Sequence, residues 1–404
     1  MKQGFFTAKQ TQSKTRPDGR VLTCVSCGLY KNADHPKLKP FGNGRKHIMV
    51  IGSFPTDAED RRGQFFQSAG ARVLQKSLAA QGVDLFEDCT LLYALNCTPG
   101  EGTPSPHSIA CCRKIVMKAI DEYKPHIIIL LGMLAVSSVI GGRWKKNMGK
   151  IEQWRGWVIP DQDFMAWVCP ILDPLAVVKG DQQVLTVWEQ DITRILEKIH
   201  VPVPKWNKPK IDVIEDLSVL SKIQSDMVSI DYETTGLKPH APGHRIVCAS
   251  VADSVDHAYT FLMPSSKRGR QPFIDLLQNE RVDKMAHNMK FEENWSVVRL
   301  YTPVKGWLWD SMLAAHQLDN RPDITSLKFQ TYIQFGLVDY ASEVTPYLQA
   351  DESSANNMNN VLTLINDVPG GKDKLLEYCG MDTITEYRLA LQQMDLIGYD
   401  FLPF

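Results

Sequence analysis

Nowhere in the 404 residues is there a run of about 18 apolar residues, so no segment reads as a membrane-spanning helix. The first residues, MKQGFFTAKQTQSK, lack the apolar core of a secretory leader, and a cytoplasmic chain is expected. Internal repeats and low-complexity tracts are also missing, and the composition is that of an ordinary globular protein. Net charge is almost absent at −1, but this is a cancellation. Residues 1–210 carry 29 Lys and Arg against 19 Asp and Glu (+10), and residues 211–404 carry 16 against 27 (−11). The divide falls in VPVPKWNKPK, where Pro and Lys should interrupt regular structure. The expected organisation is a basic domain over 1–200, a linker over 201–210 and an acidic domain over 211–404. A basic first half suits contact with phosphates.

The acidic half holds the clearest chemistry. Asp231 and Glu233 in DYETTGL alternate along an expected strand, so both leave one face. Glu292 closes HNMKFE, and Tyr378 and Asp382 in YCGMD lie four apart on an expected helix, hence on one side of it. No basic residue in these motifs pairs with the acids. Such carboxylates would repel one another unless cations stood between them. Two metal ions about 4 Å apart, clamping the attacking and leaving oxygens of a phosphodiester, resolve that conflict.

With these strings on the page, residues 211–404 resemble the 3′→5′ proofreading exonuclease domain of family A DNA polymerases, the DEDD group with a tyrosine in its third motif. The resemblance implies that Asp231, Glu233, Glu292 and Asp382 hold Mg²⁺ or Mn²⁺ and that Tyr378 orients the attacking water. It implies that Leu237 wedges against the terminal bases, and that Thr234, Asn288 and Lys290 meet the substrate. WDSMLAAHQLD and SLKFQTYI resemble the family's next two segments. One position departs: the family has Asp where this chain has Glu292, one methylene longer, which should weaken or reposition the second ion. In the polymerases the polymerase itself follows; here LALQQMDLIGYDFLPF ends the sequence. An exonuclease serving a separately encoded DNA polymerase in trans is therefore expected, with a primer 3′ terminus as substrate.

Nine cysteines are present, seven of them before residue 201, beginning with CVSC at Cys24 and Cys27. Clustered cysteines in a cytosolic chain favour metal over disulfides. Cys97, Cys111 and Cys112 follow, among the strings IMVIGSFP, EDRRGQFF, SAGARVL and PHIIILLGMLAV. That succession resembles the family 4 uracil-DNA glycosylases over about residues 20–200. The resemblance implies a 4Fe–4S cluster on Cys24, Cys27, Cys97 and Cys112. Cys111 stays open as the fourth ligand, and tetrahedral zinc stays open as the metal. The family's catalytic positions are changed: Ser53, Tyr93 and Asp173 stand where it has a glutamate, an asparagine and a histidine. A carboxylate at Asp173 would repel a departing uracil anion. Phe66 matches the phenylalanine that stacks on a flipped base, and with Asp60 and Gly63 it suggests that the pocket survives.

The expected fold is α/β throughout. In the first half HIMVIGSF, TLLYALN, HIIILLG and MAWVCPIL read as buried parallel strands. They alternate with amphipathic stretches near 70–82, 107–123, 133–140 and 184–199, giving a three-layer αβα glycosylase-like domain. In the second half MVSIDYE, RIVCASVAD and HAYTFLM read as a meander ahead of helices, as a ribonuclease H-like exonuclease requires. The leading expectation is a metal-dependent 3′→5′ DNA exonuclease fused to a glycosylase fold repurposed for binding DNA or a polymerase, a combination that suits a phage replication module. A base-excision repair enzyme and a non-enzymatic replication scaffold are the alternatives.

Overall fold

The computed structural model describes residues 22–100, 102–144, 147–338, 340–350 and 356–399. The N-terminal stretch read for a leader and the final residues 400–404 lie outside them. The chain divides into two compact units, Met1–Trp206 with Tyr332–Asp339 and Asn207–Thr331 with Tyr340–Phe404. Among the described residues, no helix is long and apolar enough to cross a membrane.

The first unit is built on a five-stranded sheet of order β2-β1-β3-β5-β4. Its strands are β1 (Ile48–Gly52), β2 (Cys89–Tyr93), β3 (Ile127–Leu131), β4 (Ile159–Asp161) and β5 (Ala166–Ile171). The four strands expected from apolar runs are parallel, while β4 lies antiparallel on β5 and had no such run to announce it. Ile48 and Val50 join one core with Leu74, Leu78 and Trp188. Their neighbours Met49 and Ile51 point the other way and are equally buried, so both faces of the sheet are covered. The helices are α1 (Cys24–Cys27), α2 (Asp57–Arg62), α3 (Ala69–Ala80), α4 (Pro106–Tyr123), α5 (Gly132–Val139), α6 (Ile151–Trp154), α7 (Pro174–Lys179) and α8 (Gln182–Leu196). The four amphipathic stretches correspond to α3, α4, α5 and α8.

The second unit carries a six-stranded sheet of order β11-β10-β7-β8-β9-β6. Its strands are β6 (Lys210–Val213), β7 (Met227–Thr234), β8 (Ile246–Ser254), β9 (His257–Leu262), β10 (Asp283–Ala286) and β11 (Trp307–Asp310). The strands β7, β8 and β9 form the antiparallel meander, and β10 and β11 continue parallel to β7 on its other side. That order and those directions are the ribonuclease H-like fold. The helices are α9 (Lys267–Gln278), α10 (Met289–Trp295), α11 (Ser311–Leu318), the first part of α12 (Leu327–Phe335), α13 (Val361–Asp367) and α14 (Gly371–Ile397).

Alternation along β7 separates its two tasks. Val228, Ile230 and Tyr232 enter a core with Phe261, Phe273 and Trp295. Ser229, Asp231 and Glu233 take the opposite face, toward α14, where the Ser229 hydroxyl donates to Thr383 O at 2.7 Å. Gly380 lets α14 approach closely, since a Cβ there would meet Ile211 and Thr260 at 2.8 Å.

Candidate active site and cysteine centre

The face of β7 and one side of α14 bring three acids together. Carboxylate oxygens of Asp231, Glu233 and Asp382 all lie within 4.8 Å of one another. Register on β8 sets Ser250 opposite Asp231 and Cys248 opposite Glu233. Burial, reinforced by Asp382, pushes the Asp231 carboxyl up to about 7. Burial and then Asp231 hold Glu233 well above the usual carboxylate range. Clustered acids in a partly buried site resist ionisation, and a divalent cation would reverse that resistance. Tyr378, one turn before Asp382 on α14, is buried, and burial followed by Asp382 keeps its phenol protonated far above neutral pH.

Glu292 is not part of this trio among the described residues. It is 3% exposed on α10, its Oε2 has no hydrogen-bond partner, and burial with Asp231 nearby raises it well above the usual range. The helix that carries it starts from Asn288, a left-handed residue at φ 71°. Asp310 secures that turn by accepting from the Asn288 and Met289 amides at 3.1 and 3.0 Å while capping α11. Asn288 thus has a backbone duty of its own, whereas Lys290 is exposed. Thr234 is buried and donates to Gly236 O at 2.7 Å, closing the turn beyond β7. Leu237, at the end of that turn, is 68% exposed.

Four residues of this centre were not singled out from the motifs. Asp310, Lys328 and Cys379 lie inside quoted segments but were given no role in the site, and Glu386 lies farther along α14. The Cys379 thiol donates to Asp231 Oδ2 at 3.5 Å. Glu386, one turn beyond Asp382, is 2% exposed and is raised by burial, with Asp231 among the charges facing it. The expectation that the acids have no basic partner is corrected by Lys328, whose ammonium is hydrogen-bonded to Asp382. The physical reason is tertiary, because the pair is 54 residues apart.

In the first unit Cys24 and Cys27 lie on α1, Cys97 just beyond β2, and Cys112 on α4. Burial pushes the Cys112 thiol up to about 12, with Cys27, Cys97 and Cys24 among the groups that add to the rise. Burial also raises Cys97, where the Lys37 amide donates to Sγ at 3.3 Å, and Cys27 and Cys24 again face it. Cys111 instead contacts Ser26 Oγ at 3.6 Å and His107 Nε2 at 3.5 Å. Among the described residues no three cysteine sulfurs come within 4.8 Å of one another. Tetrahedral zinc with bonds of about 2.3 Å needs sulfurs about 3.8 Å apart, closer than any three of the described cysteine sulfurs stand. An amide donor on a buried sulfur is also what an iron–sulfur cluster uses.

The positions matched to glycosylase catalysis are occupied by the chain's own contacts. Tyr93 stacks on Phe66 at 4.6 Å between centroids, and its hydroxyl accepts from the Phe66 amide at 3.0 Å. Phe41 meets the same ring edge-on at 5.9 Å, leaving Phe66 4% exposed. An incoming base would have to displace one of these rings to stack on Phe66. Ser53 donates to Asp173 Oδ2 at 2.9 Å, and Asp173 Oδ1 caps α7 through the Leu175 amide. Asp60 accepts from the Asp34 and His35 amides, and a Cβ on Gly63 would press on His35.

Residues 39–190 match the model of the uracil DNA glycosylase superfamily. The first unit is a domain of that superfamily. Over 144 residues the chain is 24% identical to the type-4 uracil-DNA glycosylase of Archaeoglobus fulgidus, covering 33% of this chain and 71% of the relative. It is 21% identical to the DNA polymerase of Bacillus phage SP01, over 71% of this chain and 34% of that protein. That span exceeds either unit alone, so the similarity to the polymerase runs through both. Among solved structures, Brucella melitensis NrnC with bound Mg²⁺ matches 47% of this chain and 83% of its own at 18% identity, with a TM-score of 0.34.

Proposed function

We propose that the second unit is a divalent-metal-dependent 3′→5′ DNA exonuclease, and that the glycosylase-like unit binds DNA or a polymerase without excising uracil. The observation that carries this reading is the convergence of Asp231, Glu233 and Asp382 with Tyr378 one helical turn away. Bound Mg²⁺ or Mn²⁺ would supply an activated water and neutralise charge at the scissile phosphate. Asp231, Glu233 and Asp382 would hold the metal, with Glu292 serving a second ion. The protonated Tyr378 hydroxyl hydrogen-bonds and orients the attacking water without taking its proton. Exposed Leu237 meets the terminal bases, presented by the turn that Thr234 closes, with Asn288 and Lys290 lining the strand's approach. Removal of mismatched primer ends during DNA synthesis fits this substrate, and the similarity to the phage polymerase supports work alongside a polymerase.

In the first unit, Cys24, Cys27, Cys97 and Cys112 would hold a 4Fe–4S cluster that staples α1 to α4. Ser53 tied to Asp173, and Tyr93 packed on Phe66, support loss of base excision.

The test is a gel assay on primer–template DNA labelled at the primer 5′ end, with a mismatched terminus and an internal uracil. Stepwise, Mg²⁺-dependent shortening is expected, abolished by EDTA and reduced at least about 1000-fold in Asp231→Ala, the scale of losing metal-assisted catalysis. A full-length primer with alkali-labile breaks at uracil would replace this reading with base excision. An unchanged primer would leave a scaffold.

A further inference from the structure

The acidic centre contains its own cation. Lys328 sits on α12, and its ammonium is hydrogen-bonded to Asp382 and stands 4.0 Å from the Tyr340 ring centroid and 4.1 Å from that of Tyr378. Both members are well buried, with side chains 15% and 8% exposed. Two aromatic faces and a carboxylate form a built cradle for a compact cation. Asp382 is also one of the three acids whose oxygens converge. The ammonium therefore uses a carboxylate that a divalent ion needs, and it lies on the ring of the tyrosine assigned to the water.

Resting on the metal-dependent reading above, we propose that Lys328 is a resident counter-ion of the metal centre, surrendering Asp382 when a divalent cation binds. In the metal-free protein it balances one of three clustered carboxylates and keeps Asp382 and Tyr378 in place. Metal entry is then an exchange of one cation for another. The displaced ammonium stays cradled by the two tyrosine rings. Lys328 is a positioning residue in this scheme, acting through Asp382 and Tyr378.

Removing the charge should therefore tighten metal binding, while keeping it should not. Mn²⁺ binding to the full chain without DNA, followed by calorimetry, is compared for wild type, Lys328→Met, Lys328→Arg and Asp382→Ala. Lys328→Met is expected to bind Mn²⁺ on the order of tenfold more tightly, the effect of deleting one nearby positive charge in a partly screened site. Lys328→Arg is expected to stay within about threefold of wild type, since it restores the charge. Far-ultraviolet circular dichroism of each variant identifies any that fails to fold, and Lys328→Gln then replaces Lys328→Met. Equal affinity in wild type and the neutral variant overturns the exchange, as does weaker binding in the neutral variant. If wild type binds no Mn²⁺, or Asp382→Ala binds as wild type does, the metal reading itself fails, a result distinct from failure of the lysine's role.

Discussion

Asp231 couples this site to pH. Its carboxyl titrates near 7 in the folded chain against 3.8 unfolded, because burial and then Asp382 oppose its charge. The folded state therefore holds a proton that the unfolded state has released, and this residue's contribution to stability falls as pH rises between those values. Glu233 and Glu292 shift in the same direction. Without metal, Asp231→Asn should melt at nearly the wild-type temperature at about pH 4 and increasingly above it toward about pH 7. Differential scanning calorimetry in EDTA reads that difference, and a constant offset across the range would contradict the assignment. Saturating Mg²⁺ should erase the variant's advantage, because the ion takes the place of the proton on wild-type Asp231.

At the scale of elements, α14 carries Tyr378 and Asp382 and depends on one glycine. An added methyl at Gly380 would meet Ile211 and Thr260 at 2.8 Å, so the helix must retreat from β6 and β9. Gly380→Ala should cost about 1–3 kcal/mol, less the roughly 1 kcal/mol that alanine returns in helix propensity. It should also lower exonuclease turnover by moving Tyr378 and Asp382 together; urea unfolding beside the gel assay checks both. How much of this was legible beforehand follows from the range of the interactions. IMVIG, CTLLY and IIILL announced themselves because strands buried on both faces are apolar throughout. Asp231 and Glu233 were readable from strand alternation, and Tyr378 and Asp382 from helical spacing. Lys328 was not readable, since only the folded chain brings it to a partner 54 residues away. Nor was the Tyr93 stack, because a substituted catalytic position does not disclose which neighbour will fill the space it leaves.

At the scale of the whole molecule, one chain joins a basic unit to an acidic one, and their centres can be tested independently. Cys112 faces Cys24, Cys27 and Cys97, whereas Cys111 turns to Ser26 and His107. Anaerobically prepared Cys112→Ser should lose visible absorbance and bound iron, and Cys111→Ser should keep both. The reverse pattern would move the fourth ligand, and a colourless wild type containing zinc would remove the cluster. The single helix bearing Tyr378 and Asp382 has a further consequence for how such chains can diverge. Loops between β7 and α14 can lengthen or shorten without disturbing the ends they connect. Between Tyr378 and Asp382 a single inserted residue would turn the acid by about 100° around the helix and out of the trio. Gene variants that keep the nuclease should therefore accumulate length changes elsewhere and none within that one turn.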